Sequence, residues 1–377
     1  MNKKPKVIFV TDGIFPHSVG GMQRHSRLLI EALAGTGACD LIVIHPHRGQ
    51  KIFQSFPQIT EVDLPMKKPS GQFSYLLNHY RYSKEVFKVL KQNPDAVIYS
   101  QGLAVWYGIR EVKNRLIINP HGLEFLQVMT LREKAVTLLF RWVHIWLFRH
   151  CTKVVSLGGR LTGLLKNKAG VSEKKIVILP NAVNMPPEVN RSFDKPVVQF
   201  IFVGRFAFNK GIDILMEAIK QVNRSGYRDK TKFVLVGKGP EYARITAACH
   251  EPNVEFTGGA DDETLFSLYR NSDVFVLPTL FEGMPTVALE AMSYGLPLII
   301  TDTGATLELA GNDNALIIEK RSVTSLANAI IKMANMPAEE RRRMSAASVK
   351  KVSNNFTWQV VAQKHLQLFS SIGSHHD

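Results

Sequence analysis

The chain has 377 residues, 45% hydrophobic and 21% charged, which excludes a disordered chain and gives enough length for two domains of ordinary size. No apolar run reaches the roughly 18 to 20 residues of a bilayer span, and Met1-Asn2-Lys3-Lys4-Pro5-Lys6 leads into a strand instead of a signal peptide, so a cytoplasmic protein is expected. The net charge of +15 is uneven: residues 1–190 carry 26 Lys/Arg against 12 Asp/Glu and residues 191–377 carry 21 against 20, which predicts an anionic partner for the first half.

Strand-like apolar runs alternate with amphipathic stretches, the pattern of parallel α/β sheets. The first series places strands at 6–11, 40–45, 96–100, 116–119, 153–156 and 176–179. The opening strand ends in Thr11-Asp12-Gly13, and after Pro16 the pair Gly20-Gly21 precedes a helix expected at 22–33. Glycines ahead of a helix let backbone N–H groups face an anion, although this spacing is not the G-x-G-x-x-G of a dinucleotide site. The fourth strand runs into Pro120-His121-Gly122, and 138–149 is a bulky apolar stretch with basic residues in which Trp142 and Trp146 stand one turn apart. That stretch suits either a core helix or an interfacial anchor on an acidic membrane. Cys39, Cys151 and Cys249 are widely spaced, lack metal-ligand neighbours and read as reduced structural thiols.

Asn181, Asn184, Pro186 and Pro187 make 181–195 the expected linker. A second series follows, with strands at 197–203, 232–236, 254–257, 274–277 and 297–301. Its first strand leads to Gly204-Arg205 and then Lys210-Gly211, two cations suited to a pyrophosphate that gains charge as it leaves. Asp261-Asp262-Glu263 stands at an expected helix start, where acids are favoured without a metal, and no D-x-D sequence occurs in the chain. The decisive run is Phe281-Glu282-Gly283-Met284-Pro285-Thr286-Val287-Ala288-Leu289-Glu290, with a helix expected from about Met284. Eight helical residues rise roughly 12 Å, beyond the roughly 5 to 9.5 Å between the two carboxyls of a glycosidase. These acids therefore suit opposite ends of an extended ligand whose phosphates lie over the helix start.

Glu282 and Glu290 in this setting resemble the E-x7-E signature of retaining GT-B glycosyltransferases, in particular glycosyltransferase family 4 (group 1) of the bacterial cell-envelope type. Pro16 with Gly20-Gly21, His121-Gly122, Arg205, Lys210 and Asn354-Asn355-Phe356-Thr357-Trp358 before a last helix also match that pattern. The resemblance implies an α/β fold of GT-B type, two doubly wound Rossmann-like domains facing across a cleft. They are expected at 1–185, acceptor-side, with the last helix (about 358–377) packing back on it, and at 196–357, donor-binding. It implies Glu282 and His121 as catalytic residues meeting the transferred sugar and Glu290 as the ribose ligand. Gly20, Gly21, Arg205, Lys210, Gly283, Met284, Thr286 and Val287 would hold the donor diphosphate.

The expected activity is transfer of a sugar from a nucleoside diphosphate sugar to a hydroxyl of a lipid-linked or envelope glycan. No cofactor or metal is expected, and the location is cytoplasmic or peripheral on an anionic membrane surface at the inner face of the plasma membrane. Two other classes stay in view. A sugar-nucleotide epimerase of the same fold would need an acid/base cluster that the chain does not display. A nucleic-acid-binding protein would explain the basic half, but no recognition module or aromatic and basic platform is present, and no nucleic acid partner is expected.

Overall fold

The computed structural model describes residues 4–18, 20–67, 71–127, 131–188 and 191–373, without the side chains of 72, 73, 124 and 131–136. Met1-Asn2-Lys3 of the N-terminal reading therefore lie outside the described residues. The chain divides into two compact units, one made of the residues up to Asn181 together with those from Trp358 onward, the other of Ala182–Thr357.

In the first unit the strands are β1 (Lys6–Val10), β2 (Asp40–His45), β3 (Thr60–Asp63), β4 (Val97–Gln101), β5 (Leu116–Asn119), β6 (Lys153–Ser156) and β7 (Ile176–Ile178). They form one parallel sheet in the order β3-β2-β1-β4-β5-β6-β7. Val7 to Val10 are wholly buried, as expected where helices cover both faces and a strand reads as a continuous apolar run. The helix Gly21–Thr36 buries Leu29, Ile30 and Leu33. Against it and against β4 packs the last helix, Trp358–Gly373, which buries Val361, His365 and Phe369.

The second unit has β8 (Val198–Val203), β9 (Thr231–Val236), β10 (Val254–Gly258), β11 (Val274–Leu277), β12 (Leu298–Thr301) and β13 (Ala315–Ile318), all parallel in the order β10-β9-β8-β11-β12-β13. The segment between the two strand series is no loose tether on this side. Arg191 donates to the carbonyl oxygens of Tyr269, Ser272 and Tyr294, and Phe193 is buried.

Two strands, β3 and β13, were not anticipated, and each is an edge strand of its sheet. β3 reads Thr-Glu-Val-Asp, with no apolar run to announce it; it is a strand because Thr60 to Asp63 pair with Ile42 to His45. Each sheet also reverses its strand order beside its first strand, at β1/β4 and at β8/β11. Open α/β sheets bind ligands outside the carboxyl ends of the strands at such points.

The stretch 138–149 belongs to the helix Leu131–Arg149. Its inner face buries His144, Leu147 and Phe148, so it is part of the core. Its outer face leaves Leu138 and Leu139 each 52% exposed and Trp142 65% exposed. Trp146 is only half-exposed and packs on His150, so the two tryptophans are not equivalent anchors. Among the described residues, no helix is long and apolar enough to cross a membrane.

Candidate active site

In the second unit, the loops after β8, β11 and β12 converge at one end of the sheet. Gly211 has φ 70°, and a Cβ there would lie 2.1 Å from the Pro278 carbonyl oxygen, so only glycine lets the Phe208–Lys210 turn close onto the end of β11. That approach delivers Lys210, whose Nζ lies 2.5 Å from Glu282 Oε1. The Thr279 hydroxyl lies 3.2 Å from the same carboxylate oxygen. Gly304, with φ 55°, does the same from β12: its missing Cβ would sit 2.2 Å from the Glu282 carbonyl oxygen. The neighbouring Ala305 N–H then donates to the Gly283 carbonyl at 2.8 Å. Glu282 and Gly283 are thus held from three strands.

The helix that follows spans Thr286–Ser293 and begins two residues later than the sequence suggested. A residue before proline is driven out of the helical region, so Met284 cannot start the helix, and Pro285 flanks it at φ −70° and ψ 111°. No side chain caps this helix start and no acid stands in its first turn, so the N–H groups around Thr286 and Val287 form the kind of helix end that suits an anion. Met284 is buried beneath the turn. Glu290 is positioned by Tyr269, a fully buried residue whose hydroxyl lies 3.2 Å from Glu290 Oε2 and 3.2 Å from the Val287 carbonyl. Arg205 is exposed just past the end of β8. Asp261 caps the helix Asp262–Asn271 through the Thr264 N–H, which accounts for that acidic run. Among the described residues no group of three or more His, Cys, Asp or Glu could hold a metal ion.

In the first unit, His121 follows β5 directly and adopts φ 56°, a left-handed conformation that costs a residue with a Cβ roughly 1 to 2 kcal/mol. The cost is met locally by the Asn119 side chain, whose Oδ1 accepts the His121 N–H at 2.9 Å. Burial pushes the His121 imidazole down to about 4, against the pull of the Asp12 carboxylate. Gly20 precedes the helix Gly21–Thr36 with an extended φ of 164°, and a Cβ on Gly21 would meet nothing within 4 Å. Backbone strain therefore does not demand glycine at either position. This helix start is also without a side-chain cap.

The structure adds a residue that the sequence did not single out. His25, one turn into that helix, is buried, its two ring nitrogens have no hydrogen-bond partner among the described residues, and it lies edge-on to His121 at 5.1 Å between ring centroids. Burial, then His121 and His365, hold it well below the ordinary imidazole range. Its position four residues after Gly21 was the available signal. Tyr269, by contrast, is a helix residue near Glu290 only in space, and nothing local marks it.

Two family models match side by side, Glycosyltransferase Family 4 over residues 19–185 and Glycosyl transferases group 1 over residues 198–336. The chain belongs to the family 4, group 1 glycosyltransferases. It is 28% identical to the UDP-Gal:alpha-D-GlcNAc-diphosphoundecaprenol alpha-1,3-galactosyltransferase of Escherichia coli over 56% of this chain and 58% of that protein. It is 26% identical to a glycogen synthase of Mycobacterium tuberculosis over 61% of this chain and 58% of that one. These matches span little more than half the length of the curated relatives. Sucrose-phosphate synthase from Thermosynechococcus elongatus shares the fold at TM-score 0.80 and 20% identity, over 98% of this chain and 100% of that one. The fold of this family member is thus the GT-B type, built from two Rossmann-like units.

Proposed function

We propose that this glycosyltransferase is a retaining enzyme that transfers a hexose from a nucleoside diphosphate sugar to a hydroxyl of a lipid-linked or envelope glycan. The observation that carries the reading is the contact between Lys210 and Glu282. In such a donor the second phosphate is bonded directly to the anomeric carbon, so a cation for the phosphate and a carboxylate for the hexose must stand within a few ångströms of each other. The pair meets that requirement, and the open helix start beside it suits the diphosphate. Glu290, braced by Tyr269 further along the helix, suits the ribose hydroxyls.

In the reaction the bond from the anomeric carbon to the phosphate oxygen breaks and a bond to the acceptor oxygen forms on the same face. The acceptor proton passes to the departing phosphate. Glu282 stabilises the positive charge that develops on the sugar, Arg205 and Lys210 take up the charge of the leaving diphosphate, and His121 steadies the hexose. Gly20 and Gly21 would add backbone N–H groups to the diphosphate. The reading includes no metal, since Arg205, Lys210 and the helix start provide the positive charge. Turnover is expected to survive EDTA, and complete loss restored by Mg²⁺ would count against this.

The two relatives differ by name, one a galactosyltransferase of diphosphoundecaprenol-linked GlcNAc and the other a synthase of glycogen, so resemblance alone does not choose. The first unit favours the lipid-linked class. Residues 137–181 hold eight Lys/Arg and one Asp/Glu, Glu173, and the same segment exposes Leu138, Leu139 and Trp142. That combination suits docking on the acidic inner face of the plasma membrane.

The test is thermal shift with UDP, GDP and ADP, followed by incubation of the matching nucleotide sugars with and without acceptor and assignment of the product anomer by NMR. Stabilisation by one nucleoside diphosphate and an anomer unchanged from the donor are expected. An inverted product would overturn retention, turnover without acceptor would favour an epimerase, and no stabilisation by any nucleotide would overturn the donor site.

A further inference from the structure

His121 is tied to the far end of the chain by a line of buried hydrogen bonds. Its N–H donates to Asn119 Oδ1 at 2.9 Å, and Asn119 Nδ2 donates to the Tyr99 hydroxyl at 2.9 Å. The Tyr99 hydroxyl lies 3.2 Å from His365 Nε2, and His365 Nδ1 lies 2.8 Å from the Val361 carbonyl oxygen within the last helix. Asn119, Tyr99 and His365 are all buried.

The protons along this line follow from one end. A carbonyl only accepts, so His365 Nδ1 carries the hydrogen and, in the neutral ring, Nε2 is the acceptor. Tyr99 must then donate to Nε2, which leaves its oxygen to accept from the Asn119 amide. The carboxamide can face only one way, with its oxygen toward the His121 N–H. If it were flipped, an NH₂ group would oppose that N–H and both bonds would be lost. Burial pushes His365 down to about 4, so the ring is neutral near neutral pH, as the line requires.

We propose that His365, Tyr99 and Asn119 are positioning residues that hold His121 in its left-handed conformation, so that the last helix returns to the first unit to set a site residue as well as to close a core. This rests on the reading of His121 as a residue that contacts the transferred sugar. The left-handed backbone is what aims the ring: relaxation of φ to a negative value would rotate the imidazole away from His25. None of the three residues touches the sugar in this account. They act through the His121 backbone.

Tyr99→Phe keeps the ring and removes only the oxygen that both neighbours use. Measured well below its unfolding temperature, this variant should lose about tenfold or more in kcat while donor KM stays within about twofold, because geometry is lost and not binding. In a His121→Ala background the same change should cost almost nothing further. His365→Gln, which retains an acceptor for the Tyr99 hydroxyl, should recover more of kcat than His365→Leu. A wild-type kcat for Tyr99→Phe, or additive losses with His121→Ala, would overturn the proposal, as would a fall in kcat and a rise in KM that track lost stability in every variant. The His121 amide and Cα NMR shifts give a readout that needs no turnover. They should move in Tyr99→Phe and return toward wild type in His365→Gln relative to His365→Leu. If they do not move, the relay fails even in an active enzyme; if they move in a protein that transfers no sugar, the relay stands and the functional reading falls.

Discussion

Both units are parallel sheets that reverse direction beside their first strand, yet the first holds 27 Lys/Arg against 12 Asp/Glu and eleven of the twelve histidines, while the second balances 20 against 20 and holds only His250. The same topological position is therefore furnished in two ways. In the second unit, opposite charges meet at the strand ends, as Lys210 and Glu282 do. In the first, the same end of the sheet carries His121 in the loop after β5 and His25 one turn into the helix Gly21–Thr36, both held below the ordinary imidazole range by burial, with the Asp12 carboxylate nearby, and the excess positive charge lies elsewhere, much of it in the segment 137–181. One sheet end brings opposite charges together, and the other buries imidazoles. This division can be broken or sharpened experimentally.

The largest effect should come from the charged site. Glu282→Ala is expected to lower kcat by about 10² to 10³-fold, the scale of removing one electrostatic partner from a transition state. Glu290→Ala should instead weaken donor binding by about 1.5 to 3 kcal/mol, the range for hydrogen bonds to a charged group. Calorimetric donor titration alongside steady-state kinetics separates the two. If both substitutions change Kd and kcat equally and slightly, the motif is structural and the contrast between the units loses its basis.

Next in size is the response to acid. The folded imidazoles of His121, His144 and His365 are pushed by burial from the ordinary 6.5 to about 4, and His25 is well below its ordinary value. The unfolded chain takes up protons below about 6.5 that the folded first unit refuses, so stability is fully present above that pH and is lost as pH falls toward 4. Each such histidine should contribute on the order of 1 to 3 kcal/mol across that window. The second unit holds a single histidine, His250. Hydrogen exchange at pH 7 and pH 5 should show protection falling in β1, β4 and β5 and staying level in β8, β11 and β12; equal losses in both sheets would contradict the assignment.

A smaller effect is expected at the surface. Sedimentation with acidic vesicles at low salt should pellet the protein, with less pelleting at high salt and little with neutral vesicles. Trp142→Glu should reduce binding to the acidic vesicles by on the order of tenfold, since it takes a bulky interfacial anchor from the exposed face of Leu138 and Leu139. Trp146→Phe, at a half-exposed position packed on His150, should change it little. Absence of pelleting above the protein-only control in every condition would remove the membrane from the account, and a self-association abolished by Trp142→Glu would assign the face to a second copy of the chain.

The amino-acid sequence by itself determined most of the two series of parallel strands and the run from Phe281 to Glu290, because each is written in local terms: apolar runs of strand length and two glutamates at a set spacing. It did not show β3, since Thr60 to Asp63 have no apolar pattern of their own and form a strand only by pairing with β2, and it passed over the short apolar run Ala315–Ile318 of β13. It misplaced the start of the Thr286–Ser293 helix by two residues because the restriction that proline puts on Met284 outweighs proline's fitness for a first turn. The partners that hold the site were beyond its reach altogether. Gly211 and Gly304 combine a left-handed backbone with the Pro278 and Glu282 carbonyls pressed against them, Tyr269 reaches Glu290 from another helix, and Tyr99 meets His365 across 266 residues of chain. Such contacts carry no local period or propensity; they exist only once the sheets have closed and the last helix has packed against the first unit, and for that reason only the tertiary structure could decide them.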